Sequence, residues 1–200
     1  MKLFHSPTSP YVRKVMVVAH LTGLADRLDL TEGSGTPLAP NEGTAYANPV
    51  AKVPCLVTDD GLALMDSRVI TRYLDVLGEG GLYPQGAALW PVLAREAVAD
   101  GILDAAILIV YEGRLRPEEK RFSGWTEAQM ARIQRALKAL DAEAASWEGF
   151  DASHVAVACT LGYLDFRFAE AGWRGSYPAL SAWFDGVATR PEMIATAPRA

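Results

Sequence analysis

The N-terminal segment decides the fold: a short apolar stretch, Lys2-Leu3-Phe4-His5, is followed by Ser6-Pro7-Thr8-Ser9 and then by Pro10-Tyr11-Val12. This order predicts a strand, a turn and a helix. Ser9 suits the N-cap, where a hydroxyl accepts from a first-turn N–H, and Pro10 suits the first helical position, where the missing N–H costs nothing. Apolar residues recur at spacings of three and four along the helix, which we expect to end near Gly23.

Short strands and helices alternate through the rest of this first part of the chain. We expect a strand over residues 27–30 and a Gly-, Pro- and Thr-rich loop over 31–48, of a length that is often functional. Residues 53–58 and 62–64 predict a hairpin around an acidic-glycine turn. Asp66-Ser67 then opens a helix that runs to about Leu77. The predicted order is β-α-β-β-β-α.

A glycine-rich break divides the chain. Residues 78–86 hold four glycines and a proline and therefore cannot continue a helix. We expect a domain over residues 1–78, a linker over 79–86 and a second domain over 87–200. The second domain reads as four or five helices, which we place over residues 89–111, 126–147, 151–171 and 178–189, with a solvated connection over 113–124. The almost entirely apolar segment 151–171 predicts a buried central helix.

Composition excludes several classes of protein. The chain has 200 residues and a net charge of −5, so it lacks the basic excess of a nucleic-acid-binding protein. No apolar run approaches the length of a membrane span, and the apolar start is too short for a signal peptide. The two cysteines, Cys55 and Cys159, lie far apart and favour a reducing, cytoplasmic location. The three histidines share no ligand spacing, so we expect no metal site.

Three motifs carry chemistry. A hydroxyl at a helix N-terminus, as at Ser9, can donate to an anion that the free N–H groups and the helix dipole already attract. The sequence Ser9-Pro10-Tyr11-Val12 looks like the Cys-Pro-Tyr-Cys motif of glutaredoxins with both cysteines replaced. Dithiol exchange needs sulfur atoms, so the class of dithiol reductases is excluded.

The other two motifs are Val53-Pro54 and Asp66-Ser67. In thioredoxin-like folds the matching proline is cis, and the residue before it turns its backbone N–H and C=O outward, where a peptide can pair as an extra strand. At the second motif, a serine hydroxyl with free N–H groups suits a carboxylate, and the neighbouring aspartate suits an amino group. Together the three motifs fit a small peptide with an anionic sulfur and a free α-amino acid end. Glutathione has these features.

The whole chain resembles the cytosolic glutathione S-transferases, and most closely the bacterial serine-type members. The resemblance covers residues 1–195 and implies a thioredoxin-like α/β domain followed by an all-α helical domain. The segments that carry it in the first domain are 9–15, 48–56, 66–70, 73–74 and 82–84, and those in the second are 161–167 and 177–183.

The resemblance also implies roles for individual residues. Ser9 would face the glutathione sulfur, Val53 before Pro54 would clamp the peptide backbone, and Asp66 with Ser67 would hold the γ-glutamyl end. Lys52 is the nearest candidate for the glycine carboxylate. A hydrophobic electrophile would bind between the domains, where Tyr11, Tyr111 and Arg114 are the expected lining residues. Glutathione would be a cosubstrate, so no cofactor is expected.

The family further implies a role in detoxification and a homodimer, in which the first domain of one subunit lies against the helical domain of the other. Two other functions remain open from the residues alone. One is a non-catalytic binding or regulatory protein with this fold, and the other is a glutathione-dependent isomerase or dehalogenase.

One departure from the family pattern concerns the buried helix. The family usually begins it with a Ser/Thr-x-x-Asp capping box, whereas this chain has Asp151-Ala152-Ser153-His154. Asp151 can still cap the helix. Because His154 replaces the reciprocal acid, we expect the second half of the box to be lost.

Overall fold

The structure is a computed structural model, and it describes residues 1–198. These residues form two compact units: Met1–Gly86 together with 191–198, and Ala87–Arg190. The division falls at the end of the predicted linker. The C-terminal residues belong to the first unit, whereas the sequence analysis placed them in the helical domain.

The first unit is built on a four-stranded mixed sheet. Its strands are β1 (Lys2–His5), β2 (Asp29–Glu32), β3 (Cys55–Val57) and β4 (Ala63–Met65), in the spatial order β2-β1-β3-β4. β2 runs parallel to β1, while β3 is antiparallel to both β1 and β4. The helices of this unit are α1 (Pro10–Leu21), α2 (Glu42–Ala47), α3 (Ser67–Leu77) and α9 (Pro191–Ala195). The expected thioredoxin-like fold of the first domain is confirmed.

Helix α2 corrects the sequence prediction, which read residues 31–48 as a loop. The helix has only six residues and contains Gly43, so its intrinsic propensity is low. The Asn41 side chain caps it by accepting from the Thr44 N–H at 2.9 Å, and the Thr44 hydroxyl donates to the Gly33 carbonyl at 3.1 Å. Such side-chain bonds, which periodicity does not reveal, hold this helix in place.

The core of the first unit lies between the sheet and two packed helices. α1 packs against α3, and fully buried apolar side chains fill the contact, among them Val15, Val18, Ile70 and Leu74. The C-terminal helix α9 also packs on α1. The Arg13 guanidinium donates to the Met193 carbonyl at 3.0 Å, which explains why the chain end belongs to this unit.

The second unit consists of helices. They are α4 (Leu89–Leu115), α5 (Ser123–Ala144), α6 (Ala152–Arg167), α7 (Trp173–Ser176) and α8 (Pro178–Ala188). α6 packs on α4 and α8, and every residue from 152 to 164 is buried. The prediction of an all-helical second domain with a buried central helix is confirmed. None of the helices within residues 1–198 is long and apolar enough to cross a membrane.

Several predicted helix boundaries are wrong. α4 continues through Gly113 to Leu115, because its packing against α5 and α6 outweighs the helix-breaking tendency of one glycine. The segment 113–124 is therefore only partly a connection, with a short 3-10 turn at Glu118–Lys120. α6 ends at Arg167, four residues before the predicted end, and a separate 3-10 turn follows at Ala169–Ala171.

The capping box of α6 is present, which contradicts the expectation of its loss. Asp151 Oδ1 accepts from the backbone N–H groups of Ser153 at 2.9 Å and His154 at 3.2 Å. In return the Asp151 N–H donates to His154 Nδ1 at 3.1 Å. An unprotonated imidazole nitrogen therefore accepts the bond that a carboxylate usually accepts. Burial raises the pKa of Asp151, but hydrogen bonds from the Ser153 hydroxyl and from the His154 backbone N–H outweigh that effect and lower it to about 2.

This cap makes α6 sensitive to acid. A carboxyl group whose pKa falls on folding stabilises the folded state above its unfolded pKa and loses that effect as the pH falls through its folded pKa. We expect Asp151→Ala to lower the free energy of unfolding by about 2 kcal/mol at pH 7. The difference from the wild type should shrink between about pH 4 and pH 2, as measured by urea unfolding across that range.

The exposed residue Asp26 provides the control. Asp26→Ala should stay within about 0.5 kcal/mol of the wild type at pH 7. A deficit in Asp151→Ala that is unchanged at low pH would show that the carboxylate charge does not stabilise the cap.

Candidate functional site

Three connections leave the sheet at one edge, the edge formed by the ends of the strands β1, β3 and β4. Phe4 pairs with Cys55, and Cys55 pairs with Met65, so the ends of β1 and β4 lie beside the beginning of β3. The residues that adjoin these strand ends are 6–9, 53–54 and 66–67. The sheet register therefore gathers at one edge the three motifs that the sequence analysis selected from distant parts of the chain.

Ser9 is the N-cap of α1. Its Oγ accepts from the Val12 N–H at 3.3 Å, and its own N–H donates to the Ser6 carbonyl at 3.1 Å. Since Oγ acts as an acceptor in this bond, the hydroxyl proton remains able to donate to an anion. The free N–H groups and the dipole of α1 favour negative charge at the same point.

Val53 presents backbone groups for pairing. The Val53–Pro54 peptide is cis, as the sequence analysis expected, and Pro54 is buried. Neither the N–H nor the C=O of Val53 makes a hydrogen bond with any residue in the range 1–198. An extended peptide can therefore bond to both groups as an added strand.

The loop before Val53 is shaped by Asn48, which the sequence analysis did not single out. Its amide donates to the Lys52 carbonyl at 2.8 Å and accepts from the Val50 N–H at 3.0 Å, while the residue itself is 1% exposed. Between them, Ala51 has a positive φ of 51°. The Lys52 side chain is exposed beside the clamp residue. The only hint of this role in the sequence is an Asn before a Pro, a common turn signal.

Asp66 and Ser67 begin α3. Asp66 has a φ of 67°, and its Oδ1 accepts from the Arg68 N–H at 2.9 Å. The Arg68 guanidinium also grips both carboxylate oxygens, each at 3.0 Å. These bonds lower the pKa of Asp66 more than its burial raises it, so the carboxylate is ionised at neutral pH. Two oxygens offer about four acceptor positions, which leaves room for a ligand amino group.

A buried lysine adds positive charge near this carboxylate. Lys14 lies on α1 and is 1% exposed, and its charge contributes to the lowered pKa of Asp66. The helix pattern of the sequence gives no sign of this burial, because the residue type predicts a solvated position.

The residues expected to line a second pocket lie in both units. Tyr11 follows the cap of α1 in the first unit, while Tyr111 and Arg114 lie one turn apart on α4 in the second. Burial raises the pKa of the Tyr163 hydroxyl on α6, and the nearby charges of Arg167 and Arg114 partly offset this rise. Tyr163 and Arg167 were missed, because the sequence analysis treated α6 only as core.

Neither cysteine has the properties of a reactive thiol. Neither Cys55 nor Cys159 forms a disulfide, and both are fully buried. Burial raises the pKa of the Cys55 thiol, which disfavours the reactive thiolate even though this residue follows the cis-proline. A sulfur that reacts at this edge must therefore come from a ligand.

Comparisons with known proteins identify similar sequences. Two family models match the chain: the glutathione S-transferase N-terminal domain over residues 8–77 and the glutathione S-transferase C-terminal domain over residues 123–186. Among curated proteins, the GST-like protein YibF of Escherichia coli K12 is 30% identical over 99% of this chain and 98% of its own.

Solved structures give the same result. A glutathione transferase family member from Pseudomonas fluorescens Pf-5, solved with bound glutathione, is 45% identical with a TM-score of 0.95, covering 100% of this chain and 99% of its own. A structure with bound S-(propanoic acid)-glutathione from the same organism is 44% identical with a TM-score of 0.92 and covers both chains completely. A glutathione S-transferase from Methylobacillus flagellatus KT, with glutathione bound, is 37% identical with a TM-score of 0.90 over 99% of each chain.

The contribution of Asn48 to the loop can be measured from the free energy of unfolding. Asn48→Ala removes a buried amide and leaves the Lys52 carbonyl and the Val50 N–H without their partner, so we expect a loss of about 2–3 kcal/mol in the free energy of unfolding. Lys52→Ala, which keeps the backbone carbonyl, should change stability by less than about 0.5 kcal/mol. Equal stabilities of the two variants in urea unfolding would contradict a scaffolding role for Asn48.

Proposed function

This chain belongs to the glutathione S-transferase family, and on that premise we propose that it is a serine-type glutathione transferase. It binds glutathione at the sheet edge formed by Ser9, Val53 and Asp66, and transfers the glutathionyl group to an electrophilic carbon. The observation that carries the proposal is the register that gathers an anion-donating hydroxyl, an unpaired backbone segment and an ionised carboxylate at one edge.

Each part of glutathione has a matching group at this edge. The cysteinyl N–H and C=O pair with the backbone of Val53, which makes no other hydrogen bond within residues 1–198. The γ-glutamyl amino group meets the Asp66 carboxylate, and the γ-glutamyl carboxylate meets Ser67 at the N-terminus of α3. Lys52, exposed next to Val53, takes the glycine carboxylate.

Ser9 stabilises the thiolate by donating its hydroxyl proton to the sulfur. A free thiol has a pKa of about 8.5, so only about 3% is ionised at pH 7. Lowering the pKa by about two units requires roughly 2.7 kcal/mol of preferential stabilisation of the thiolate. A hydrogen bond to a charged group supplies about 1.5–3 kcal/mol and a helix N-terminus about 0.3–1. The serine and the helix it begins are sufficient for the effect, so Ser9 is a donor and not a nucleophile.

The chemical step is attack by this thiolate. A carbon–sulfur bond forms, and either a leaving group departs with its electron pair or the π-electron pair of an activated double bond shifts and is protonated. The thiol proton leaves to solvent when glutathione binds. The similar protein solved with S-(propanoic acid)-glutathione supports sulfur alkylation, because that ligand is a thioether.

The electrophile contacts Tyr111 and Arg114 on α4. Such a reaction serves detoxification in the cytoplasm, where glutathione is abundant and reduced. If glutathione is regenerated in the products, the chain is instead an isomerase, and a bound but unreactive glutathione marks a binding protein.

We also propose that the protein is a homodimer. Each unit presents an exposed apolar helix face: Val69 and Val76 on α3, with Val76 74% exposed, and Trp90 and Val98 on α4, with Trp90 68% exposed. Faces of this kind mark interaction surfaces, and a twofold dimer in which α3 meets the partner's α4 covers both at once.

The role of Ser9 predicts the ionisation of bound glutathione. Ser9→Ala removes the donor, so the pKa of the bound thiol should rise by about 1–2 units and the rate at pH 6.5 should fall about 10–100-fold. The pKa is measured from the ultraviolet absorbance of the thiolate as the complex is titrated.

Ser6→Ala is the matched control, since it removes a neighbouring hydroxyl while keeping the carbonyl that accepts from Ser9. It should leave the thiol pKa within about 0.3 units of the wild type. An unchanged pKa in Ser9→Ala would overturn the assignment of Ser9.

The role of Asp66 predicts a selective loss of affinity. Asp66→Asn should weaken glutathione binding about tenfold, whereas a glutathione analogue that lacks the α-amino group should bind the variant and the wild type equally. Because the pKa of Asp66 is lowered, wild-type affinity should hold throughout the pH range in which an ordinary aspartate is ionised and decline only below that range. Isothermal titration calorimetry measures both ligands; equal losses of affinity for both would show that Asp66 does not bind the amino group.

The dimer can be measured by light scattering after gel filtration. The wild type should elute at twice the 21.6 kDa of one chain, and Val76→Glu should elute as a monomer because it places a charge in the interface. Leu30→Glu adds the same charge on β2, the strand at the edge of the sheet, and this variant should remain a dimer. A monomeric wild type would refute this assembly.

A further inference from the structure

We propose that the second substrate of this enzyme carries a carboxylate, which is bound by a cluster of donor groups on α4 and α6. This cluster, called here the α4–α6 cluster, consists of Tyr111, Arg114, Tyr163, Phe166 and Arg167. The inference rests on the proposed transferase function and names the class of electrophile that the enzyme takes. The sequence analysis predicts a hydrophobic electrophile, whereas this inference predicts an electrophile that also carries a carboxylate group.

Arg114 and Arg167 bring two positive charges to the Tyr163 hydroxyl. Three arginines of the second unit pair with carboxylates: Arg95 with Glu143, Arg116 with Glu112, and Arg174 with both Asp165 and Asp185. Arg114 and Arg167 form no ion pair with any residue of the described chain, 1–198, and the same is true of Arg121, Arg132 and Arg135. Arg114 and Arg167 differ from those three because their charges act on the buried Tyr163 hydroxyl. Two guanidinium groups near one hydroxyl, with no acid to neutralise them, attract an anion.

The polar groups of the α4–α6 cluster are able to donate hydrogen bonds. Guanidinium groups are donors only, and Nε of Arg167 is buried without a hydrogen-bond partner in residues 1–198. The Tyr163 hydroxyl is 5% exposed and is also able to donate, since burial raises its pKa and keeps its proton in place. A ligand that satisfies several converging donors must bring several acceptors, and the two oxygens of a carboxylate match a guanidinium fork.

Contacts within the second unit hold the α4–α6 cluster in place before a ligand binds. The Arg167 guanidinium lies over the Phe166 ring at 4.2 Å, a cation–π contact that restricts its orientation. α4 and α6 pack directly against each other in the core of the second unit, so the backbone positions of the cluster are fixed. A planar fork that is already held in place loses less entropy when it binds a carboxylate.

The test uses two electrophiles that differ only in charge: 4-chloro-3,5-dinitrobenzoate and 4-chloro-3,5-dinitrobenzamide. With either compound the thiolate forms a carbon–sulfur bond and chloride leaves with its electron pair. The measured quantity is the ratio of kcat/KM for the benzoate to that for the benzamide, because comparing this ratio between variants cancels the intrinsic reactivity of each compound. Arg167→Met and Arg114→Met should each lower the ratio at least about tenfold, while turnover of the benzamide persists.

Three further variants sharpen the test. Arg135→Met, at an exposed position on α5, removes the same charge and should leave the ratio within about twofold of the wild type. Arg167→Lys keeps the charge but not the fork and should fall between the wild type and Arg167→Met. Arg114 is exposed, so Arg114→Met keeps the test decisive if Arg167→Met does not fold.

Binding of unreactive analogues separates this inference from the transferase function. In calorimetry, 3,5-dinitrobenzoate should bind the wild type at least about tenfold more tightly than 3,5-dinitrobenzamide, and Arg167→Met should abolish the preference. If this preference appears without turnover of any electrophile, the cluster is an anion site and the transferase proposal fails. If the benzamide is turned over but neither rates nor binding favour the benzoate, the transferase proposal stands and the carboxylate inference is overturned.

Discussion

The pairing register of three strands is the constraint on which the candidate site depends. Phe4, Cys55 and Met65 lie side by side across β1, β3 and β4, so the three connections that follow or precede them emerge together. A shift of one residue in this register would turn every side chain to the other face of the sheet and separate Ser9, Val53 and Asp66. The buried residues Leu3 and Leu56, paired across the same ladder, make such a shift costly. The packing of the core thus fixes the relative positions of the candidate site residues.

Short-range signals made most of the first unit predictable. Ser9 before Pro10, the acidic-glycine turn and the Asp66-Ser67 helix start are local patterns with a direct physical reading, and the structure contains all of the elements they predict. Helix α2 was missed because six residues with a glycine carry no periodic signal, and a capping side chain and a buried threonine hold it. The end of α4 was misplaced because tertiary packing overrides the tendency of one glycine to end a helix. The identity of His154 also led to a wrong prediction, the loss of the capping box. Its imidazole accepts the hydrogen bond from the Asp151 N–H that a carboxylate usually accepts.

The parts of the site that sequence reasoning missed act through other residues. Asn48 holds the loop that presents Val53, Arg68 grips Asp66, and Lys14 places a buried charge near that carboxylate. None of them has a spacing or composition that points to function, because each acts through a contact made only in the folded chain. The α4–α6 cluster is of the same kind, since folding brings the unpaired charges of Arg114 and Arg167 to the buried hydroxyl of Tyr163. In both units, the partners of a charged side chain in the folded protein indicate its function better than its residue type does.

The central claim is that the glutathione sulfur lies at the hydroxyl that begins α1. A crystal structure of the chain grown with glutathione tests it most directly. The account predicts the sulfur within about 3.5 Å of Ser9 Oγ, with the cysteinyl backbone paired to Val53 and the γ-glutamyl amino group on Asp66. Glutathione bound with its sulfur away from Ser9, or with its backbone unpaired at Val53, would contradict the account.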